Sequence, residues 1–154
     1  MKKKEIFPIK YSAIKIIKTR EGNVTNEITY SNYFYKKDIK KKFVLIKVQY
    51  ANINHKDFLM SKNIRGLIKK FPHTPGIDAS GVVYFSNSKK FKKNDKIFIV
   101  AKPLGVELNG SFSQFISVPD NWVNKLPKNL TTKDSMMIGT SGFTAIKALN
   151  GTLK

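Results

Sequence analysis

The sequence predicts a mostly β fold, a partly open, barrel-like domain in the β-rich α+β class with short helices and a helical C-terminal segment. Three observations carry this. Short apolar runs recur between breaker residues, and their links are irregular. Helical periodicity is confined to one short stretch and to the end of the chain. The 154 residues are 41% apolar, with eleven Phe and six Tyr, enough for a single packed core.

YSAIKIIK (11–18) alternates apolar and polar residues as a strand does. GN at 22 and 23 is a turn, and VTNEITYSN (24–32) is the return strand of a hairpin. KKDIKKK (36–42) is a charged connector before FVLIKVQYANIN (43–54), the strongest strand pattern in the chain. HKDFLMSKN (55–63) forms a short helix with Asn54 as its N-cap. Residues 64–76 form a loop punctuated by Gly66, Pro72 and Pro75. DASGVVYFS (78–86), KIFIVAK (96–102) and the alternating GSFSQFISV (110–118) are strands. PDNWVNKLP (119–127) is a turn and a short strand. TTKDSMMIGTSGFTAIKALNG (131–151) carries two helical segments broken near Gly139 to Gly142, with Thr131 or Thr132 as the first cap.

Composition excludes several chemistries. There is no Cys, which removes disulfides, thiolate metal sites and thiol nucleophiles. The N-terminal stretch has no uninterrupted apolar core, so no signal peptide is expected. No apolar run approaches the ~20 residues that cross a bilayer. A soluble, cytoplasmic protein is the expectation. Net charge is +19, but of 29 basic residues only Arg20 and Arg65 are Arg, the residue that clamps phosphates and reads guanines with two hydrogen bonds. Lys is enriched together with Ile and Asn, as a genome poor in G and C would dictate, so compositional drift is preferred to a selected polyanion site. The aromatic residues alternate as core positions and do not suggest stacking platforms among basic residues.

FPHTPGIDASGVV (71–83) sets one aspartate, Asp78, between Gly76 and Gly81. A buried acid must find donors. The N–H groups of the glycine-containing turn are the expected donors, and pinning a loop to a strand the expected role. A glycine inside a strand weakens it unless something must come close.

PGIDASG resembles the P-G-x-D-x-x-G element of the medium-chain dehydrogenase/reductase superfamily, in its GroES-like catalytic domain. NHKD (54–57) resembles the N-Y-K-D element of the zinc-independent quinone oxidoreductase-like, acryloyl-CoA reductase branch. The spacing through KKFP, and IGTSGFTAIKAL (138–149), are similar to that branch in order and separation. The resemblance runs from about residue 11 to about residue 150. It implies a catalytic domain over 11–137, preceded by an extension at 1–10. Residues 138–154 then begin a connection to a nucleotide-binding domain.

The implied reaction transfers hydride from NADPH to an activated C=C bond of an enoyl-CoA, or to a quinone. The implied catalytic residues are Asn54, near the nicotinamide and acyl site, and His55, where the branch has Tyr. His55, Thr140 and Thr144 are the implied cofactor-binding residues. Each has a plainer role: N-cap for Asn54, surface histidine for His55, helix initiation for the threonines. Asp57 favours the positive end of the helix dipole. Lys56 and Lys69 stand at basic positions of the branch and are otherwise solvated. His73 has no assigned role. With two histidines and no Cys, a metal site is not expected.

After Gly142 the sequence holds only Gly151, so no glycine-rich dinucleotide fingerprint is present. The expectation is a catalytic half that lacks the nucleotide-binding domain, holds NADPH poorly and turns over no substrate alone. Phe143, Ile146 and Leu149 would then be exposed, with oligomerisation or instability as the consequence. A partner polypeptide carrying the missing domain, a degraded remnant, and a basic nucleic-acid-binding module are the three readings left open.

Overall fold

The computed structural model describes residues 7–152. The described residues form seven strands and two helices: β1 (Ile9–Lys18), β2 (Val24–Phe34), β3 (Phe43–Tyr50), α1 (His55–Ser61), β4 (Ala79–Ser86), β5 (Lys96–Ile99), β6 (Phe115–Pro119), β7 (Asn124–Lys125) and α2 (Thr132–Thr152). Three single-turn 3-10 segments cover Lys36–Asp38, Ile64–Gly66 and Asp120–Trp122.

β1 and β2 are the expected hairpin, antiparallel, with Lys18 opposite Val24. The other five strands make one sheet in the order β6-β3-β4-β5-β7. All its pairings are antiparallel. The two sheets do not close into a barrel. They are laced together by backbone bonds from β1 to residues 112–114, Ile14 N–H to Phe112 O at 2.8 Å and Gln114 N–H to Ser12 O at 2.9 Å.

The first half of β3, together with β4 and β5, carries the main core of Val44, Ile46, Val83, Ile97, Ile99 and Leu104. The apolar run at 44–46 suits a strand covered on both faces, whereas Lys47, Gln49 and Tyr50 further along β3 are exposed. A second cluster joins Leu45, Ile9 and Ile39 to several aromatic rings. Its edge-on Tyr84–Phe115 pair has ring centres 5.4 Å apart, a geometry favoured by the ring quadrupoles. A third cluster of Ile16, Met60 and Ile68 seats α1 beneath the hairpin.

Gly81 explains itself here. A Cβ at this position would lie 2.1 Å from the Lys47 carbonyl oxygen, so β4 can pass β3 at this bulge only without a side chain.

Several boundaries differ from the sequence reading by one or two residues, and three differ by more. β3 stops at Tyr50, not at 54. Residues 51–54 leave the sheet to reach the start of α1. The 96–102 strand ends at Ile99. The alternating stretch 110–118 becomes strand only from Phe115. Its first half is claimed by the 74–76 loop through Gly110 N–H to Thr74 O, Ser111 N–H to Gly76 O and Phe112 N–H to Pro75 O, at 2.7–3.0 Å. Alternation alone cannot foresee that rival partner. α2 breaks at Gly139 as expected, and Thr131 rather than Thr132 caps it: the Thr131 hydroxyl accepts the Asp134 N–H at 3.1 Å while Asp134 accepts the Thr131 N–H at 2.9 Å. The Thr132 hydroxyl instead donates to Gln49 at 3.0 Å, fastening α2 to the sheet. No helix of the described residues is long and apolar enough to cross a membrane.

Candidate functional site

The site is built around two buried carboxylates at one end of the five-stranded sheet. Asp57 lies on the first turn of α1 and is almost fully buried. One of its oxygens accepts the Asn54 N–H at 2.9 Å, which ties down the helix start. The other accepts the N–H groups of Gly76 and Ile77 at 2.9 and 3.2 Å. The carboxyl group is nevertheless pushed above the usual aspartate range. Burial is the main cause, the three N–H donors oppose it, and neighbouring Asp78 adds to it.

Asp78 immediately precedes β4 and is fully buried. Its Oδ2 accepts the Thr140 N–H at 2.8 Å and an Asn54 Nδ2–H at 3.1 Å. Its Oδ1 takes the Thr140 hydroxyl. The expectation that turn N–H groups would satisfy Asp78 is therefore corrected. The turn at Gly76 belongs to Asp57, and Asp78 is held by the break in α2. Its role is still to pin elements together, as expected, but it pins α2 rather than a loop.

The break exists because Gly139 has φ 52° and ψ −163°, a conformation open essentially to glycine alone. A Cβ there would sit 2.5 Å from Asn52 Nδ2 and 2.9 Å from Asp78 Oδ2. The turn frees the Thr140 N–H from the helix ladder and points it at the carboxylate.

The sequence-derived residues fall into two groups. Asn54 and Thr140 meet at Asp78, although 86 residues separate them in the chain. The Thr140 hydroxyl is fully engaged: it donates to Asp78 and accepts the Ala101 N–H at 3.0 Å. Asn54 commits one hydrogen of its amide and keeps a second. His55 and Thr144 lie one step outward. His55 is exposed, its ring 6.3 Å from that of Phe58. The exposed Thr144 hydroxyl donates to the Thr140 carbonyl at 2.8 Å. Lys56 and Lys69 are exposed. His73, which the sequence left without a role, is buried, with Nε2 2.6 Å from the Gly105 carbonyl and its backbone bridging to Ile16.

Sequence reasoning located the break near Gly139 but missed Asn52 and Ala101. Ala101 carries a positive φ of 53° and lends its N–H to Thr140. Only the glycine left a trace in the sequence, as an interruption of helical periodicity. Among the described residues, no group of three or more His, Asp or Glu is arranged to hold a metal ion.

The alcohol dehydrogenase GroES-like domain model matches residues 40–128, more than half of the chain. The chain belongs to this family. GroES-like relatives with sequence similarity include YhfP of Bacillus subtilis, 43% identical over 108 residues, which are 70% of this chain and 33% of YhfP. The acrylyl-CoA reductase AcuI of Ruegeria pomeroyi is 38% identical over 106 residues, 69% of this chain and 32% of AcuI. The quinone oxidoreductase of Sus scrofa is 32% identical over 108 residues, 69% and 31%. The chain thus spans about a third of the length of the curated relatives it matches. The crystal structure of YhfP with NAD bound superposes with a TM-score of 0.81 at 34% identity, covering 92% of this chain and 42% of YhfP. The YhdH oxidoreductase of Salmonella enterica in complex with NADP has the same fold, with a TM-score of 0.81 at 24% identity, covering 91% of this chain and 42% of YhdH.

Proposed function

We propose that this GroES-like chain is the catalytic-domain portion of a nicotinamide-dependent oxidoreductase that reduces an activated C=C bond, in an enoyl thioester or a quinone. The observation that carries the reading is the shared carboxylate. Asp78 holds Asn54 and the break in α2 against each other, and NHKD and GTSGFTA are the two segments by which the sequence resembles the reductase branch. The identities to an acrylyl-CoA reductase and a quinone oxidoreductase support the substrate class.

The residues fit a nicotinamide at this rim. Asn54 keeps one amide hydrogen for a ligand, while His55 and Thr144 are exposed beside it. When bound, NADPH supplies the hydride. Asn54 contributes an oriented hydrogen bond to a carbonyl oxygen on which negative charge develops. His55, whose exposed imidazole can carry a proton on a ring nitrogen, donates the proton that completes reduction. Thr144 offers its hydroxyl oxygen to the cofactor. Thr140 has no hydrogen left to give and acts as a positioning residue: it fixes Asn54 through Asp78. The grip on the dinucleotide falls to a nucleotide-binding unit outside residues 7–152.

The test is a chimera in which residues 11–150 replace the corresponding part of YhfP. We expect NADPH consumption with acrylyl-CoA or a quinone, lowered at least ten-fold by Asn54→Ala. The isolated chain is expected to consume none. A folded chimera that binds NADPH and reduces neither substrate sinks the proposal.

A further inference from the structure

Far from Asp78, at the opposite end of the five-stranded sheet, two lysine-rich runs form one surface. The first is residues 36–42 and the second residues 87–95, separated in sequence by β3, α1 and β4. Asn87 stitches them together. Its N–H donates to the Phe43 carbonyl at 3.0 Å, its side chain to the Ile39 carbonyl at 2.6 Å, and its own carbonyl accepts the Lys42 N–H at 3.3 Å. The Lys36 ammonium lies 5.3 Å from the centre of the Phe85 ring, so the first run folds back over the end of β4. The result is one surface with nine exposed lysines: 36, 37, 40, 41, 42, 89, 90, 92 and 93.

The balancing charge is small. Asp120 pairs with Lys90 at 3.7 Å, and Asp95 with Lys125 at 3.2 Å. Asp38 accepts the Tyr35 N–H at 3.1 Å. Three carboxylates cannot neutralise nine ammonium groups, and the local field is strongly positive.

Two aromatic residues stand at its margin, against the expectation that no aromatics are presented among basic residues. Tyr33 is 45% and Tyr35 47% exposed, their ring centres 6.4 Å apart, where β2 runs into the first lysine segment. The Lys37 ammonium is 5.8 Å from the Tyr35 ring centre.

We propose that this end of the domain binds the phosphodiester backbone of a single-stranded nucleic acid. Lysines neutralise successive phosphates and release their counterions. Tyr33 and Tyr35 offer ring faces to unstacked bases. The runs contain no Arg, which implies binding without base readout. An anionic membrane is the weaker match, because a membrane surface takes up aliphatic anchors. Among the described residues the exposed aliphatic side chains lie elsewhere: Ile53 and Ile64 beside α1, Met137, Ile138, Ile146 and Leu149 on α2, and Ile14 and Ile28 on the hairpin. This surface shares no residue with the proposed reductase site.

The probe is a fluorescein-labelled 20-mer oligouridylate, followed by anisotropy across a KCl series with the full chain. Neutralising about six phosphates gives a slope of log K against log salt near −4. The variant K37Q/K41Q/K89Q/K92Q should lose at least ten-fold in affinity and flatten the slope by about 2–3. The control K18Q/K70Q/K128Q/K133Q removes the same charge elsewhere and should lose under three-fold. Y33A/Y35A should lose about five-fold or more with the slope unchanged. If the quadruple variant does not fold, K89Q/K92Q on the second run replaces it, with about half the slope change. Equal losses in variant and control, or binding to phosphatidylserine vesicles but not to the oligonucleotide, would overturn the proposal.

Discussion

The two ends of the five-stranded sheet treat charge in opposite ways. At the end where β4 begins, Asp57 and Asp78 are buried, and each accepts three hydrogen bonds. At the far end, nine ammonium groups stand in water against three carboxylates. The difference is one of dielectric. A charge inside must be matched in position to a fraction of an ångström or it costs several kcal/mol. A charge outside is screened and tolerates displacement. The first end therefore fixes geometry, and the second supplies a field.

Asp78→Ala tests the first end hardest. It leaves the Thr140 N–H, the Thr140 hydroxyl and an Asn54 N–H without their buried acceptor. We expect a loss of about 3–5 kcal/mol in urea unfolding. A loss under 1 kcal/mol would mean that solvent already reaches these donors. Gly139→Ala comes next, at about 2–4 kcal/mol, from backbone strain and collision with Asn52 and Asp78. Its signature is a drop in helical circular dichroism at α2 with the sheet intact.

The third prediction concerns pH. The folded chain holds the Asp57 proton to higher pH than the unfolded chain, because burial raises its pKa. The stability attached to Asp57 is full below the ordinary aspartate value near 4 and falls as pH rises through the raised one. Urea midpoints from pH 3 to 7 should therefore carry a falling contribution of at most about 1.4 kcal/mol per pH unit, absent in Asp57→Asn. A variant with the parent's pH profile would remove Asp57 as its source. At the far end, K89Q/K92Q should shift stability by less than about 0.5 kcal/mol. A large loss there would show that the lysines pack rather than simply stand in solvent. Smallest of all, His55→Tyr restores the residue of the reductase branch at an exposed position and should leave the melting temperature unchanged within error.

Much of this was legible in the chain. Alternation and breaker residues located the hairpin, β3, β4 and α1, because those elements take their order from local pattern. Asn54, Asp78 and Thr140 were found by resemblance, and the buried state of Asp78 by the cost of isolating an acid. The partner of Asp78 was not legible. It depends on the 62-residue separation between Asp78 and Thr140 being closed by the fold, and no local pattern encodes that. The same limit hid the lysine surface. Each run alone is a solvated connector, and only the Asn87 bonds make them one face. Residues 110–114 failed for the converse reason: their alternation is that of a strand, but the 74–76 loop took their hydrogen bonds.

The turn at Gly139 also acts on direction. Past it, α2 continues for about a dozen residues, a rod of roughly 18 Å at 1.5 Å per residue. Phe143, Ile146 and Leu149 on that rod are 40–63% exposed, so its aim is set mainly at its base, where Asp78 grips Thr140. A tilt of about 10° at the base would sweep the tip by about 3 Å. One buried carboxylate would thus decide where the tip of the rod points.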